Sequence, residues 1–255
     1  MEMIENNIIS NSRHQIIYSD DCKLREELFR KIEKNNPILA NINKPFSIYI
    51  EDLGPNIQSF NSSLDKIKLS SMTREYLYFE ICYEIINKIK DLELDEEALK
   101  YFLDRINSLF VQNYNILSLD ELSSSLLSSK EIYRNGLQNY NKTGNINFNI
   151  TDMNIPFMDL ESFIKKTKKL INNQSYLCLL LDHEKVISIY SMKSVNNLIS
   201  SRINKDISVK LGTDSKTWKT YYADNNEHID SVHDYDIIYL DEEKSIPNKG
   251  ISKEF

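Results

Sequence analysis

The sequence has few of the residues that interrupt secondary structure or bind metals. Only 5 Gly and 5 Pro occur among its 255 residues, so no Gly- or Pro-rich linker divides the chain. Its 3 cysteines, Cys22, Cys82 and Cys178, are widely separated and form no CxxC pair. This spacing argues against a disulfide framework and a zinc site, and it fits a reducing compartment. We therefore expect a cytoplasmic protein in which residues 1–255 form a single domain.

Long apolar runs and an excess of positive charge are also missing. The longest apolar run is too short to cross a bilayer, and the N-terminus carries charges where a signal peptide needs an apolar core. The net charge is −7, which does not favour binding to polyanions such as nucleic acids or anionic membranes. We expect no membrane association and no nucleic-acid binding by this chain alone. The hydrophobic fraction of 41% is nevertheless sufficient for a sizeable core.

Residues 176–184, with the sequence YLCLLLDHE, are the most informative segment. A short, fully apolar run of this kind is typical of a strand buried on both faces. The run places Asp182 and Glu184 at its carboxyl end, where open α/β sheets bind their ligands. The Walker B strand of P-loop ATPases, which holds Mg²⁺ and polarises water, has this form. The alternative interpretation is a central strand whose terminal aspartate caps the next turn.

The other segments predict an α/β protein. Strand patterns alternate with amphipathic helical patterns, which favours a mostly parallel, five-stranded sheet in a three-layer αβα arrangement. Residues 1–13 are polar and are expected to form a loose lead-in, and a helical insertion is expected at about residues 73–150. The predicted strands are 14–18, 46–50, 176–184, 207–211 and 236–240, and the predicted helices are 27–33, 73–91, 96–110, one or two within 117–139, 160–172 and 193–202.

Residues 19–26 follow the first strand and have the layout of a P-loop, whose consensus is GxxxxGK[ST]. Against that consensus, Ser19 stands at the first Gly, Leu24 at the second, Arg25 at the Lys and Glu26 at the Ser/Thr. Leu24 places a side chain where glycines let backbone N–H groups surround the phosphates. Glu26 places a negative charge where a hydroxyl binds Mg²⁺. Only Arg25 keeps the required charge, so we expect a degenerate nucleotide-binding loop.

The order of these segments resembles the origin-recognition-complex-like AAA ATPases of bacteria, a branch of the P-loop NTPases. The resemblance is carried by residues 176–184 as Walker B, 195–202 as the following helix, 207–213 as the sensor strand, and 233–241 before and within the last strand. It implies the sheet order 5-1-4-3-2. It also implies that Asp182 is the Mg²⁺ ligand, that Glu184 lies near the catalytic-base position, and that Thr213 is the sensor residue.

The departures from that family predict a loss of activity. The P-loop consensus is absent, the usual Asp-Glu pair reads Asp182-His183-Glu184, and the chain ends soon after Leu240, so we expect no helical lid and no winged helix. Phosphoryl transfer depends on positioning and charge neutralisation. We therefore predict an inactive or strongly impaired ATPase-like protein that acts as a scaffold or regulatory subunit for a protein partner. No cofactor is expected, except Mg-ATP if the pocket functions. The family suggests a bacterial mobile-element or phage-defence setting.

Two alternatives remain open from the sequence. In a divergent ATP-binding switch, Arg25 would replace the P-loop lysine and Asp182 would still hold Mg²⁺. In a metal-dependent nuclease, Asp182 and Glu184 would bind the metal and activate water, as in the acid…Glu-x-Lys pattern of restriction-type nucleases. That site would need Glu51 or Asp52 to complete it.

Overall fold

The computed structural model of the chain describes residues 2–36, 44–55, 57, 63–108, 115–144, 158–182, 188–200, 206–214, 220–231 and 233–240. Helices and strands alternate along most of this described part of the chain. The strands are β1 (His14–Tyr18), β2 (Phe46–Ile50), β3 (Leu177–Asp182), β4 (Ile207–Thr213) and β5 (Tyr235–Tyr239). The helices are α1 (Glu2–Ser10), α2 (Cys22–Asn35), α3 (Ser63–Ile89), α4 (Glu96–Asn107), α5 (Leu119–Thr143), α6 (Leu160–Leu170) and α7 (Ile189–Ser200).

The strands form one sheet in the order β2-β3-β4-β1-β5, and every neighbouring pair is parallel. This is the predicted order 5-1-4-3-2 counted from the other edge, so the fold prediction is confirmed. The register places Asp182 of β3 opposite Gly212 of β4, and Thr213 of β4 opposite Tyr18 of β1. The carboxyl ends of β3, β4 and β1 therefore lie side by side.

Helices cover both faces of the sheet. Alternate strand residues point to opposite sides, and apolar residues on each side pack against helices. On one face, Cys178 and Leu180 of β3 pack with apolar residues of α1 and α2, including Ile8 and Phe29. On the other face, β3 residues such as Leu179 belong to a larger core built with α3, α5, α6 and α7. These helix layers on the two faces complete the three-layer αβα architecture.

The structure corrects one local prediction and makes another more definite. The expected lead-in at residues 1–13 contains helix α1, because Ile8 is fully buried against α2 and Glu5 pairs with Lys31 at 2.8 Å. The one or two helices predicted within 117–139 are a single helix, α5, which follows the N-cap Ser118 and is followed by Gly144 in the left-handed conformation.

Among the described residues, three helices lie between β2 and α6, in the part of the chain where the helical insertion is predicted. Helix α3 packs against α5, α7 and β2, so it contacts the sheet as well as the neighbouring helices. The bounds of an insertion at about 73–150, and the assignment of residues 1–255 to one domain, stay predictions.

Candidate functional site

The connection between β1 and α2 is much shorter than the predicted loop at residues 19–26. Helix α2 begins at Cys22, which leaves only residues 19–21 between the strand and the helix. The side chain of Asp21 caps the helix and accepts hydrogen bonds from the N–H groups of Lys23 and Leu24, at 2.9 and 3.2 Å. In a P-loop, N–H groups at this place bind phosphate. Here the protein's own carboxylate accepts two of them, and an aspartate at an N-cap is the signal that the P-loop alignment overlooked.

The N–H group, the hydroxyl oxygen and the carbonyl oxygen of Ser19 each form a hydrogen bond within the protein. Ser19 is 2% exposed, and its N–H donates to the carbonyl oxygen of Thr213 at 3.0 Å. Its hydroxyl oxygen accepts from the N–H of Asp21 at 3.1 Å, and its carbonyl oxygen accepts from Nη1 of Arg25. The backbone here continues the sheet instead of curving around a ligand.

Arg25 and Asp182 form a buried ion pair at the carboxyl edge of the sheet. Nη2 of Arg25 lies 3.2 Å from Oδ1 of Asp182, and Nε lies 3.3 Å from Oδ2. The contact is bidentate, the geometry that a planar guanidinium makes with a carboxylate. The side chains are 0% and 3% exposed, respectively. The sequence predicts that Arg25 replaces the phosphate-binding lysine of a P-loop and that Asp182 is the Mg²⁺ ligand.

Gly212 gives the arginine the space it needs. A Cβ atom added at Gly212 would lie 3.1 Å from Cδ of Arg25 and 3.0 Å from the ring of Phe29. Gly212 is also opposite Asp182 in the register of β3 and β4. The absence of a side chain on β4 therefore lets α2 approach the sheet closely enough for Arg25 to reach Asp182. An isolated glycine inside a strand is the sequence signal for such a close approach.

Tyr49 of β2 is a further residue that sequence reasoning missed. Burial and the neighbouring negative charge of Asp182 raise the pKa of its hydroxyl. The side chain of Arg30 lies over its ring, with Cζ 5.3 Å from the centroid. Tyr49 is 4% exposed, and its hydroxyl has no hydrogen-bond partner among the described residues. A neutral tyrosine thus adds an apolar wall beside the ion pair and no positive charge.

The remaining predicted site residues have local partners. Leu24 is half-buried on α2, and Glu26 pairs with Arg30 one helical turn away at 2.9 Å. Thr213 is buried, and its hydroxyl donates to the carbonyl oxygen of Asp214 at 3.1 Å. Glu184 lies outside the described residues. The structure therefore brings Ser19, Arg25, Asp182 and Thr213 together, whereas Glu26 points to a different partner.

The carboxylates proposed for a nuclease site contact separate cations. Glu51 pairs with Arg30 at 2.7 Å. Asp52 accepts from the hydroxyl of Tyr76 at 2.7 Å and pairs with Arg134 at 2.9 Å. Within the described part of the chain, no group of three or more His, Cys, Asp or Glu side chains is placed to hold a metal ion.

The parallel sheet, its strand order and the acid at the end of β3 define a P-loop NTPase-like protein. The profile of a family described as ORC-CDC6-like matches residues 26–255, and the chain belongs to this family, which is related to the AAA-type ATPases. The matched region includes β3 and β4 but begins after residues 19–25. Searches of curated proteins and of solved structures gave no significant match. None of the described helices is both long enough and apolar enough to span a membrane.

Proposed function

We propose that this chain is an ATPase-like protein without ATPase activity, and that it serves as a scaffold or regulatory subunit for a protein partner. The observation that carries the proposal is the buried, bidentate pair of Arg25 and Asp182. The cation that would neutralise a phosphate and the carboxylate that would hold Mg²⁺ neutralise each other. No exogenous cofactor is required for this arrangement.

Three physical arguments support the loss of hydrolysis. The three-residue connection between β1 and α2 offers little backbone for a polyphosphate to bind, because the N–H groups of Ser19 and Asp21 bond within the protein. The carboxylate of Asp21 caps the helix end where a phosphate would bind. Separating Arg25 from Asp182 would leave two buried charges without partners, at a cost of several kcal/mol. Nucleotide binding would have to offset that cost before any catalysis.

A nucleotide-controlled switch is the second candidate, favoured by the direct contact between Arg25 and Asp182. Mg-ATP would separate the pair by giving each group a new partner of opposite charge. Because Arg25 belongs to α2, the separation would move this helix. This candidate requires the nucleotide to bind, whereas the scaffold does not. The proposed setting, a bacterial mobile-element or phage-defence locus, derives from the family resemblance alone.

The test of inactivity is phosphate release from Mg-ATP by the purified chain. We expect no release above that of the Asp182→Asn variant, which lacks the carboxylate charge that would hold Mg²⁺. Hydrolysis by the wild-type chain that disappears in Asp182→Asn would contradict the proposal. Hydrolysis that is equal in both proteins would come from a contaminant and would leave the predicted inactivity standing.

A further inference from the structure

A groove of about 330 Å³ lies between helices α4 and α6, and it includes none of the residues around Arg25 and Asp182. Its lining combines apolar and cationic side chains from the two helices. The apolar floor is formed by Phe102, which is 2% exposed, and Leu170, which is 8% exposed. Phe102 is held by an edge-to-face contact with Phe163, with the ring centroids 6.3 Å apart. The floor of the groove is therefore formed by apolar side chains that pack into the core.

An aromatic ring and a cation form the α4 side of the groove. Tyr101 is 53% exposed, so its ring is accessible to a ligand in the groove. The guanidinium of Arg105 lies over its ring, with Cζ 5.2 Å from the centroid, and Nε donates to the tyrosine hydroxyl at 3.1 Å. The cation–π contact holds the arginine in place, and no carboxylate of the described residues forms an ion pair with it.

Lysines form the α6 side. Lys165 pairs with Glu161, whereas Lys166 and Lys169 have no ion-pair partner within the described part of the chain. The two unpaired lysines are three residues apart on one helix, so they are neighbours that repel each other. Lys169 in the last turn interacts favourably with the helix dipole, but Lys166 lies further from the helix end. An anion in the groove would relieve the repulsion between them.

We propose that this groove binds an acidic peptide segment of a partner protein, with an apolar side chain seated on Phe102 and Leu170 and carboxylates beside Lys166, Lys169 and Arg105. The inference rests on the proposed scaffold function and specifies its partner. The small extent of the basic surface favours a short peptide over a nucleic acid. The exposed residues Glu96, Glu97 and Asp104 lie on α4, and the net charge of the chain is −7. A polyanionic backbone needs an extended basic track, whereas a short peptide needs only the groove.

The test is fluorescence anisotropy at low salt with a labelled peptide of about 12 residues, in which two Phe residues lie among Asp and Glu. We expect saturable binding that weakens as salt is added, because the carboxylate contacts lie near the surface. The variant Lys166→Ala/Lys169→Ala should weaken binding about tenfold, as the loss of two charge contacts predicts. The matched control, Lys34→Ala/Lys90→Ala, removes two exposed lysines outside the groove and should change binding by less than about twofold.

Two further probes identify the ligand class. A peptide in which Ser replaces both Phe residues should bind at least about tenfold more weakly, because it leaves the apolar floor unfilled. A single-stranded thymidine oligonucleotide of similar length should not compete. The inference is overturned if the acidic Phe peptide does not bind, if the Ser peptide binds equally well, if the oligonucleotide binds more tightly, or if the control variant weakens binding as much as the groove variant.

The result separates this inference from the function on which it rests. If the chain neither binds nor hydrolyses ATP and also fails to bind the peptide, the groove is not the docking site. The proposal of an inactive scaffold would stand, with a different docking surface. ATP hydrolysis by the purified chain would overturn the inactive scaffold whatever the peptide does.

Discussion

The guanidinium of Arg25 is fully buried, and a protein tolerates a buried charge only where it is paired and hydrogen-bonded. Asp182 supplies two of those contacts and the carbonyl oxygen of Ser19 supplies another. All three lie at the carboxyl edge of the sheet, where ligands bind in related folds. The contacts that a buried arginine requires therefore fill the edge of the sheet with protein atoms.

Substitution of Arg25 by Ala should destabilise the protein by about 3–5 kcal/mol, because Asp182 would remain as an unpaired buried carboxylate. The double variant Arg25→Met/Asp182→Leu, which replaces both charges with apolar groups, should be closer to wild type than either single variant. Urea denaturation measures the free energies of unfolding. As a control, Arg30→Ala breaks two exposed ion pairs and the cation–π contact with Tyr49, and it should cost about 1–2 kcal/mol. Equal losses for Arg25→Ala and Arg30→Ala would contradict the predicted importance of the buried pair.

His14 predicts a decrease in stability at acidic pH. Its Nδ1 accepts a hydrogen bond from the N–H of Val209 at 2.9 Å, and burial, assisted by the charge of Lys210, lowers its pKa to about 4. An unfolded histidine has a pKa of about 6.5. As the pH falls from about 6.5 through 4, the unfolded state therefore binds the proton first, and the free energy of unfolding decreases by up to about 3 kcal/mol.

The variant His14→Asn isolates this effect, because the amide oxygen keeps an acceptor for Val209 but does not titrate. We expect a shallower loss of stability between pH 6.5 and 4 in the variant, measured by urea denaturation at several pH values. Burial raises the pKa of Glu80 to about 7, which gives the opposite slope above pH 4.5, but this contribution is common to both proteins. Parallel pH profiles would show that His14 is not protonated preferentially in the unfolded state.

At the scale of elements, the position of α2 decides what the site can bind. The amphipathic pattern predicted this helix, but alignment with the P-loop consensus placed its start after Glu26, five residues too late. The Asp21 cap was visible in the sequence. The contact between Arg25 and Asp182 was not, because it joins residues 157 apart and depends on the rotation of α2 over the sheet. Helix α1 was missed because its polar, Asn-rich sequence is held by tertiary packing of Ile8.

The cap predicts a small and local effect. Asp21→Ala should lower the free energy of unfolding by about 1 kcal/mol, since two N–H groups at the start of α2 lose their acceptor. Asp95→Ala removes the corresponding cap of α4 and should cost a similar amount, which provides a matched control by thermal or urea unfolding. A loss far larger for Asp21 than for Asp95 would mean that Asp21 has a role beyond capping.

The close approach of α2 to β4 predicts a steric effect at Gly212. Gly212→Ala should cost about 1–3 kcal/mol, because the new methyl group would press on Arg25 and on the ring of Phe29. The double variant Gly212→Ala/Phe29→Leu tests the cause. The added alanine should cost less in the Phe29→Leu background, because the smaller side chain makes room. Urea denaturation of the four proteins gives the coupling energy, and a coupling near zero would contradict the steric account.

At the scale of the whole molecule, much of the architecture could be predicted from the sequence. Strand patterns and the family resemblance gave the sheet order, and parallel strands place their carboxyl ends together, so the meeting of Ser19, Asp182 and Thr213 was foreseeable. Whether these residues face a ligand or one another was not foreseeable, because that depends on side-chain contacts across distant elements. The roles of Gly212 and Tyr49 could not be predicted either, because they too depend on contacts between residues that are distant in the sequence.

The central claim is that Arg25 and Asp182 satisfy each other where a nucleotide would bind, and isothermal titration calorimetry with ATP and ADP, with and without Mg²⁺, tests it most directly. We predict no binding at millimolar nucleotide by the folded chain, corresponding to a binding free energy weaker than about −4 kcal/mol. Tight, Mg²⁺-dependent binding that is lost in folded Arg25→Ala and Asp182→Ala variants would contradict the claim and would identify a nucleotide-controlled switch.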